Sequence, residues 1–131
     1  MIGIEIDMVV SNSITAWETY SRIFDAELIS LTDHEVGLNE AVFTILGSRF
    51  HLLDENPEYF LIAPKEGNPQ SLWMNIYVQD ICSTFARAVA EGCIVIQEVT
   101  ELPDIGVKNC IFKDPSGYMW MLHETISDSS H

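Results

Sequence analysis

Asp114-Pro115-Ser116-Gly117-Tyr118-Met119-Trp120-Met121-Leu122-His123 decides the fold, because an earlier stretch of the chain answers it. The first four residues are turn formers, and the alternation after Gly117 marks a strand. Gly47-Ser48-Arg49-Phe50-His51-Leu52-Leu53-Asp54 lies 70 residues upstream, Gly47 against Gly117. Asn12 and Asp80, each placed to cap a helix (Asn12 or Ser13 in the first case), stand 68 apart. The same order of elements surrounds both. In the first half Ile2, Ile4, Ile6, Met8 and Val10 alternate as a strand. A helix follows with Ile14, Trp17, Tyr20 or Ser21, and Phe24 on one face. Extended segments come at about Glu27–Thr32, Glu40–Leu46 and Ser48–Asp54, with Gly47-Ser48 as the tight turn. In the second half Leu72, Met74, Ile76 and Val78 alternate. Ile81, Phe85, Ala88 and Val89 share a helical face, and Gly92 ends that helix in a left-handed C-cap. Strands follow at about Ile94–Glu98, Val107–Lys113 and Tyr118–His123. Each half reads β-α-β-β-β, and an internal repeat outranks any single motif as a guide to fold. The class is α+β. One domain over 1–126 is built of repeats at about 1–56 and 70–126, joined by a linker at 57–69, with a frayed tail at 127–131. Tyr59-Phe60-Leu61-Ile62 reads as a pocket edge or a short strand.

Composition narrows the function. Six Lys and Arg against 20 Asp and Glu in 131 residues leave a net charge of −14. Nucleic acid and anionic membrane surfaces both need a basic face, so neither is an expected partner. No apolar run reaches the ~18 residues of a transmembrane helix. The Met1 end lacks a basic segment leading into an apolar one, so no secretory leader is expected. Cys82, Cys93 and Cys110 form no CxxC pair and read as reduced thiols of a cytoplasmic protein, Cys82 and Cys110 as buried and inert. Ile and Val number 24 against 10 Leu, a bias toward strands.

Each half has one helix and so covers one sheet face. The aliphatic rows Ile2, Ile4, Ile6 and Leu72, Met74, Ile76 suit the helices. The opposite rows are Glu5, Asp7, Val9 and Trp73, Asn75, Tyr77, the mix of apolar wall and convergent polar groups that a ligand cavity uses. Glu5 and Asp7 point to one face, ~6.6–6.8 Å apart along the strand. If the two are buried together, one has its pKa raised and becomes a possible general base, which makes them the catalytic candidates. His51 shares a face with Arg49 and Leu53, and Arg49 can pair with Glu5 or Asp7 or hold an anion. His123 shares a face with Met119 and Met121, and Asp7 with His123 is a second pairing for a displaced site. Trp73, Asn75, Tyr77, Met119 and Met121 line the cavity, while Tyr118, Trp120 and Leu122 point to core or dimer interface. His34 and His131 read as bystanders. The chain has no Ser-His-Asp order, phosphate loop or dinucleotide fingerprint.

Val10-Ser11-Asn12 … Tyr20 … Phe24-Asp25, Val78-Gln79-Asp80-Ile81 … Phe85 … Ala88 … Gly92-Cys93 and Asp114–Trp120 resemble the motifs of the vicinal oxygen chelate superfamily. That superfamily includes glyoxalase I, the bleomycin-resistance proteins and the extradiol dioxygenases. Gly47–Asp54 is similar to its PhnB-like branch. The resemblance implies paired βαβββ modules around an open U-shaped barrel, and a homodimer. It also implies metal ligands at Glu5, His51, Trp73 and Met121. Tryptophan's ring nitrogen is only a donor, and thioether sulfur suits copper(I). Glu5 and His51 therefore remain as metal candidates, short of the three protein ligands a catalytic zinc site takes, and no cofactor is expected. The leading reading is a metal-free protein holding a cationic or aromatic small molecule at Glu5, Asp7, Arg49, His51, Trp73, Asn75, Tyr77, Met119, Met121 and His123, as in antibiotic-binding resistance proteins. The alternatives are a divalent-metal-dependent glyoxalase- or dioxygenase-type enzyme using Glu5 and His51, and a non-catalytic dimer with a vestigial cavity.

Overall fold

Asn12 begins the first helix as its side chain predicts: its Oδ1 accepts the Thr15 N–H at 3.0 Å, filling one of the donors a helix start leaves open. Asp80 does the same for the Ser83 N–H at 3.0 Å. The computed structural model describes residues 2–126, so the tail at 127–131, with His131, lies outside the described residues. Contacts divide the chain into two units, Met1–Asn68 and Pro69–His131.

The first unit runs β1 (Ile6–Val10), α1 (Ser13–Ile23), β2 (Ala26–Leu31), β3 (Glu40–Ile45) and β4 (Ser48–Asp54). Its sheet has the order β1-β4-β3-β2, with β1 parallel to β4 and the other pairs antiparallel. One face packs under α1. Met8, Val10, Ala41, Phe43, Ile45, Phe50 and Leu52 are buried there with Tyr20, Ile23 and Phe24. Phe43 sits at the centre, 5.7 Å from the Phe50 ring, 6.0 Å from Tyr20 and 5.1 Å from Trp17. The buried face of α1 is Ser13, Ala16, Tyr20 and Ile23, rotated from the expected stripe, and Ile14 and Trp17 are only half-buried.

The second unit repeats the plan with β5 (Trp73–Tyr77), α2 (Ile81–Ala90), β6 (Ile94–Leu102), β7 (Val107–Lys113) and β8 (Met119–Thr125). The order is β5-β8-β7-β6, again with the first and last strands parallel. Met74, Cys110, Phe112, Trp120 and Leu122 are buried with Ile81 and Ala88. Phe85 is half-buried and Val89 exposed, so the α2 stripe is narrower than expected. Gly92 has φ +90, the left-handed C-cap the sequence predicts.

Several expectations are corrected. Ile2, Ile4 and Leu72 are exposed and lie before their strands. The parallel ladder between β1 and β4 opens at Ile6↔Phe50, so Ile2 and Ile4 lie outside it. Leu72 likewise precedes the first pair, Trp73↔Met119. The β3–β4 turn is Leu46-Gly47, since Ile45 pairs with Ser48 and both turn residues have positive φ. Tyr59–Ile62 is not a strand: Pro57–Tyr59 is a 3₁₀ turn, followed by Phe60 at φ +64 and an isolated Asn56↔Leu61 bridge. Cys82 is exposed. Cys93 and Cys110 are buried, and burial pushes their thiols up to about 12 and about 11.

Candidate functional site

A carboxylate on the last strand of each unit ties that strand to the start of the unit's helix. Asp54 Oδ1 accepts the Ser13 N–H at 2.7 Å, and Asp54 Oδ2 accepts Gly37 N–H at 2.8 Å and Asn39 N–H at 3.0 Å. Burial pushes the Asp54 carboxyl up, but these donors outweigh it and hold the group below its ordinary value. In the second unit Glu124 Oε1 accepts the Ile81 N–H at 2.9 Å. Asp54 and Glu124 stand 70 apart and Ser13 and Ile81 stand 68 apart, the two offsets of the repeat. These ties fix the first and last strands beside each other, and those strands carry the candidate residues.

In the first unit the face turned away from α1 carries Asp7, Arg49, His51, Val42 and Glu40, and Glu5 precedes β1. Asp7 pairs with His51 across the parallel β1–β4 register. His51 Nδ1 lies 3.3 Å from Glu5 Oε1 and 3.4 Å from Asp7 Oδ1. Its other nitrogen, Nε2, lies 2.6 Å from Glu40 Oε1. Arg49 Nε donates to Glu5 Oε2. That bond is the leading cause holding the Glu5 carboxyl below its ordinary value, so Glu5 stays charged and its Oε1 faces His51. Glu5 is thus not the proton-keeping member of a buried pair. One ligand atom each from Glu5, Asp7 and His51 lies within 4.8 Å of the others.

Glu40 is the residue that sequence reasoning missed. Its signal was present. A two-residue turn at Leu46-Gly47 sets Val42 opposite His51, and Glu40 then stands two residues along the same face, diagonal to the imidazole.

The second unit places its candidates differently. The pairs Trp73↔Met119, Asn75↔Met121 and Tyr77↔His123 bring all six side chains to the face turned away from α2. Tyr77 and His123 stack with ring centroids 4.9 Å apart at 26°. Gln97 Nε2 donates to Asn109 Oδ1 at 2.7 Å beside them. Trp73 and Tyr77 are 46% and 60% exposed, and His123 only 9%. His123 Nδ1 is buried with no hydrogen-bond partner among the described residues. The candidates here are mainly aromatic and thioether side chains, whereas those of the first sheet are carboxylates, a guanidinium and an imidazole.

No protein-family model and no curated protein matches the sequence. Solved structures do match the fold. TioX from Micromonospora sp. ML1 superposes with a TM-score of 0.72 at 16% identity, over 96% of this chain and 100% of that one. A PhnB protein from Bacillus cereus gives 0.72 at 17% identity, over 95% and 100%. FosX from Listeria monocytogenes, a fosfomycin resistance protein solved with Mn(II) and sulfate, gives 0.71 at 18% identity, over 95% and 92%. Two βαβββ units, each with its first and last strands paired parallel, give this chain the fold of these structures, the paired-module α+β fold expected from its resemblance to the vicinal oxygen chelate proteins.

Proposed function

We propose that the chain binds a small oxygen-bearing molecule through a divalent cation held by Glu5, Asp7 and His51. One observation carries this reading: two carboxylate oxygens converge on His51 Nδ1 at 3.3 and 3.4 Å. A tetrahedral ion with ~2.0–2.1 Å bonds spaces its ligands by ~3.4 Å, so these two edges are already close to set. Asp7 supplies the third protein ligand that the sequence-level count of Glu5 and His51 lacked. One imidazole and two carboxylates suit a borderline or hard divalent ion. Three protein ligands leave the remaining coordination positions to water or substrate. A bound ion would act as a Lewis acid toward a substrate oxygen. The chain's own residues prepare for it: Arg49 keeps Glu5 ionised, and the β1–β4 register holds Asp7 against His51.

The test is metal retention after dialysis against Mn(II), Zn(II), Ni(II) and Fe(II) in turn. Near-stoichiometric retention of one ion is expected, lost in Glu5→Ala, Asp7→Ala and His51→Ala. No retention overturns the reading.

A second reading is metal-free binding of an organic cation or a flat aromatic. The exposed rings of Trp73 and Tyr77 favour it, since aromatic faces hold cations and planar ligands, and so does the net charge of −14. Trp73 fluorescence titrated with such compounds tests it, and no quenching at millimolar ligand rejects it. We also propose a cytoplasmic homodimer. Leu28, Ile29 and Leu31 on β2 and Ile94, Val95 and Ile96 on β6 leave apolar surface exposed at outer sheet edges. Sedimentation at micromolar concentration should give twice the chain mass.

A further inference from the structure

The geometry points to Glu40 as the positioning residue that selects which nitrogen of His51 faces the cation, an inference that rests on the cation reading above. A neutral imidazole carries one proton, and its hydrogen bonds decide which nitrogen holds it. Nε2 lies 2.6 Å from Glu40 Oε1, within strong hydrogen-bond range, whereas Nδ1 is 3.3 and 3.4 Å from Glu5 and Asp7. A charge-assisted bond strengthens as it shortens, so the proton sits on Nε2 and Glu40 accepts it. The Nδ1 lone pair is then left facing two carboxylate oxygens, three acceptors with no donor among them. A second proton or a metal cation at Nδ1 resolves that arrangement, and the two compete for the same lone pair.

The roles of the three acidic residues therefore differ. Glu5 and Asp7 offer oxygens to the ion. Glu40 touches only the far side of the ring and acts through His51. Carboxylates in this position fix ring orientation and raise ligand basicity, and their loss typically costs ~10–100-fold in metal affinity. The β3–β4 hairpin supplies the residue: Val42 pairs with His51, and Glu40 stands two residues farther along that face.

Nitrogen-15 NMR of the metal-free chain, at a pH where the ring is neutral, reads the tautomer. The His51→Ala spectrum assigns the signals among the four histidines. The expected wild-type result is a proton on Nε2. Glu40→Ala should mix the tautomers and weaken Mn(II) binding ~10–100-fold. Glu40→Gln keeps a carbonyl acceptor, so the tautomer should persist and the affinity loss should be several-fold smaller than for Glu40→Ala. A wild-type proton on Nδ1 overturns the inference, as does an unchanged tautomer in Glu40→Ala. Equal affinity losses in Glu40→Gln and Glu40→Ala also overturn it, because the effect is then one of charge alone. Absence of Mn(II) binding in the wild type overturns the cation reading itself. The tautomer, read without metal, separates that failure from a failure of Glu40's role.

Discussion

Asp54 shows how much one buried carboxylate can organise. Three backbone N–H groups from α1 and the loop before β3 end on its two oxygens, so a single side chain closes both the helix start and the loop. Asp54→Asn turns an amide NH₂ toward at least one of those donors. We expect a loss of about 2–3 kcal/mol, read by urea unfolding. The pH dependence has a fixed sign. Because the folded carboxyl is held below its unfolded value of ~3.9, its contribution is complete above that value. It disappears as pH falls through the lower, folded value. Melting followed from pH 5 downward should show an acid-side loss in the wild type that is reduced in Asp54→Asn. At this scale the candidate residues were legible and their partners only in part. Glu5, Asp7, Arg49 and His51 were readable because strand alternation sorts faces. Asp54 was passed over because capping was sought within each helix, and this tie spans 41 residues of sequence.

Elements were read more reliably than their ends. β4 and β7 match their expected ranges, and α1 and α2 start at their expected caps. The misses share a cause. Alternation in Ile2, Ile4 and Ile6 implied a longer strand, but the ladder to β4 opens only at Ile6↔Phe50. The turn shifted by one residue because Gly47 was placed first, whereas a type I′ turn needs positive φ at both central residues. Leu46 meets that need at φ 48 against its own preference, a cost of roughly 1–2 kcal/mol for a residue with a Cβ. Leu46→Asn should raise stability by about 1 kcal/mol, because Asn accepts this region and Leu46 is exposed. Thermal melting checks it, and an unchanged or lower midpoint counts against the strain. Phe43→Ala removes the ring at the centre of the first unit's aromatic cluster and should cost about 3–5 kcal/mol, read as a lower midpoint in urea unfolding.

The whole molecule divides its chemistry between its halves. Positions related by the repeat hold Glu5, just before β1, and Trp73 at the start of β5, and His51 and Met121 in the last strands. The repeat was legible because glycine turns and caps recur at fixed offsets. Which of these related positions carry charge followed from residue identity alone. A surface of −14 concentrates cations around the chain. The apparent affinity for any cationic ligand should therefore fall as NaCl rises from 10 to 300 mM, and less steeply in Glu5→Gln. Calorimetry at both salts measures it, and a salt-independent affinity would show that the field contributes nothing.

The parallel pairing of first with last strand carries a consequence for biosynthesis. Ile6 meets Phe50 and Trp73 meets Met119, so each unit's first-made strand is the one that must wait. On the ribosome β1 stays unpaired until β4 emerges, and long-range parallel closure is slow. The first unit's elements end at Tyr59 and those of the second begin at Trp73. A pause in translation within that interval would give β1 time to dock before a second, similarly built sheet could offer it the wrong partner.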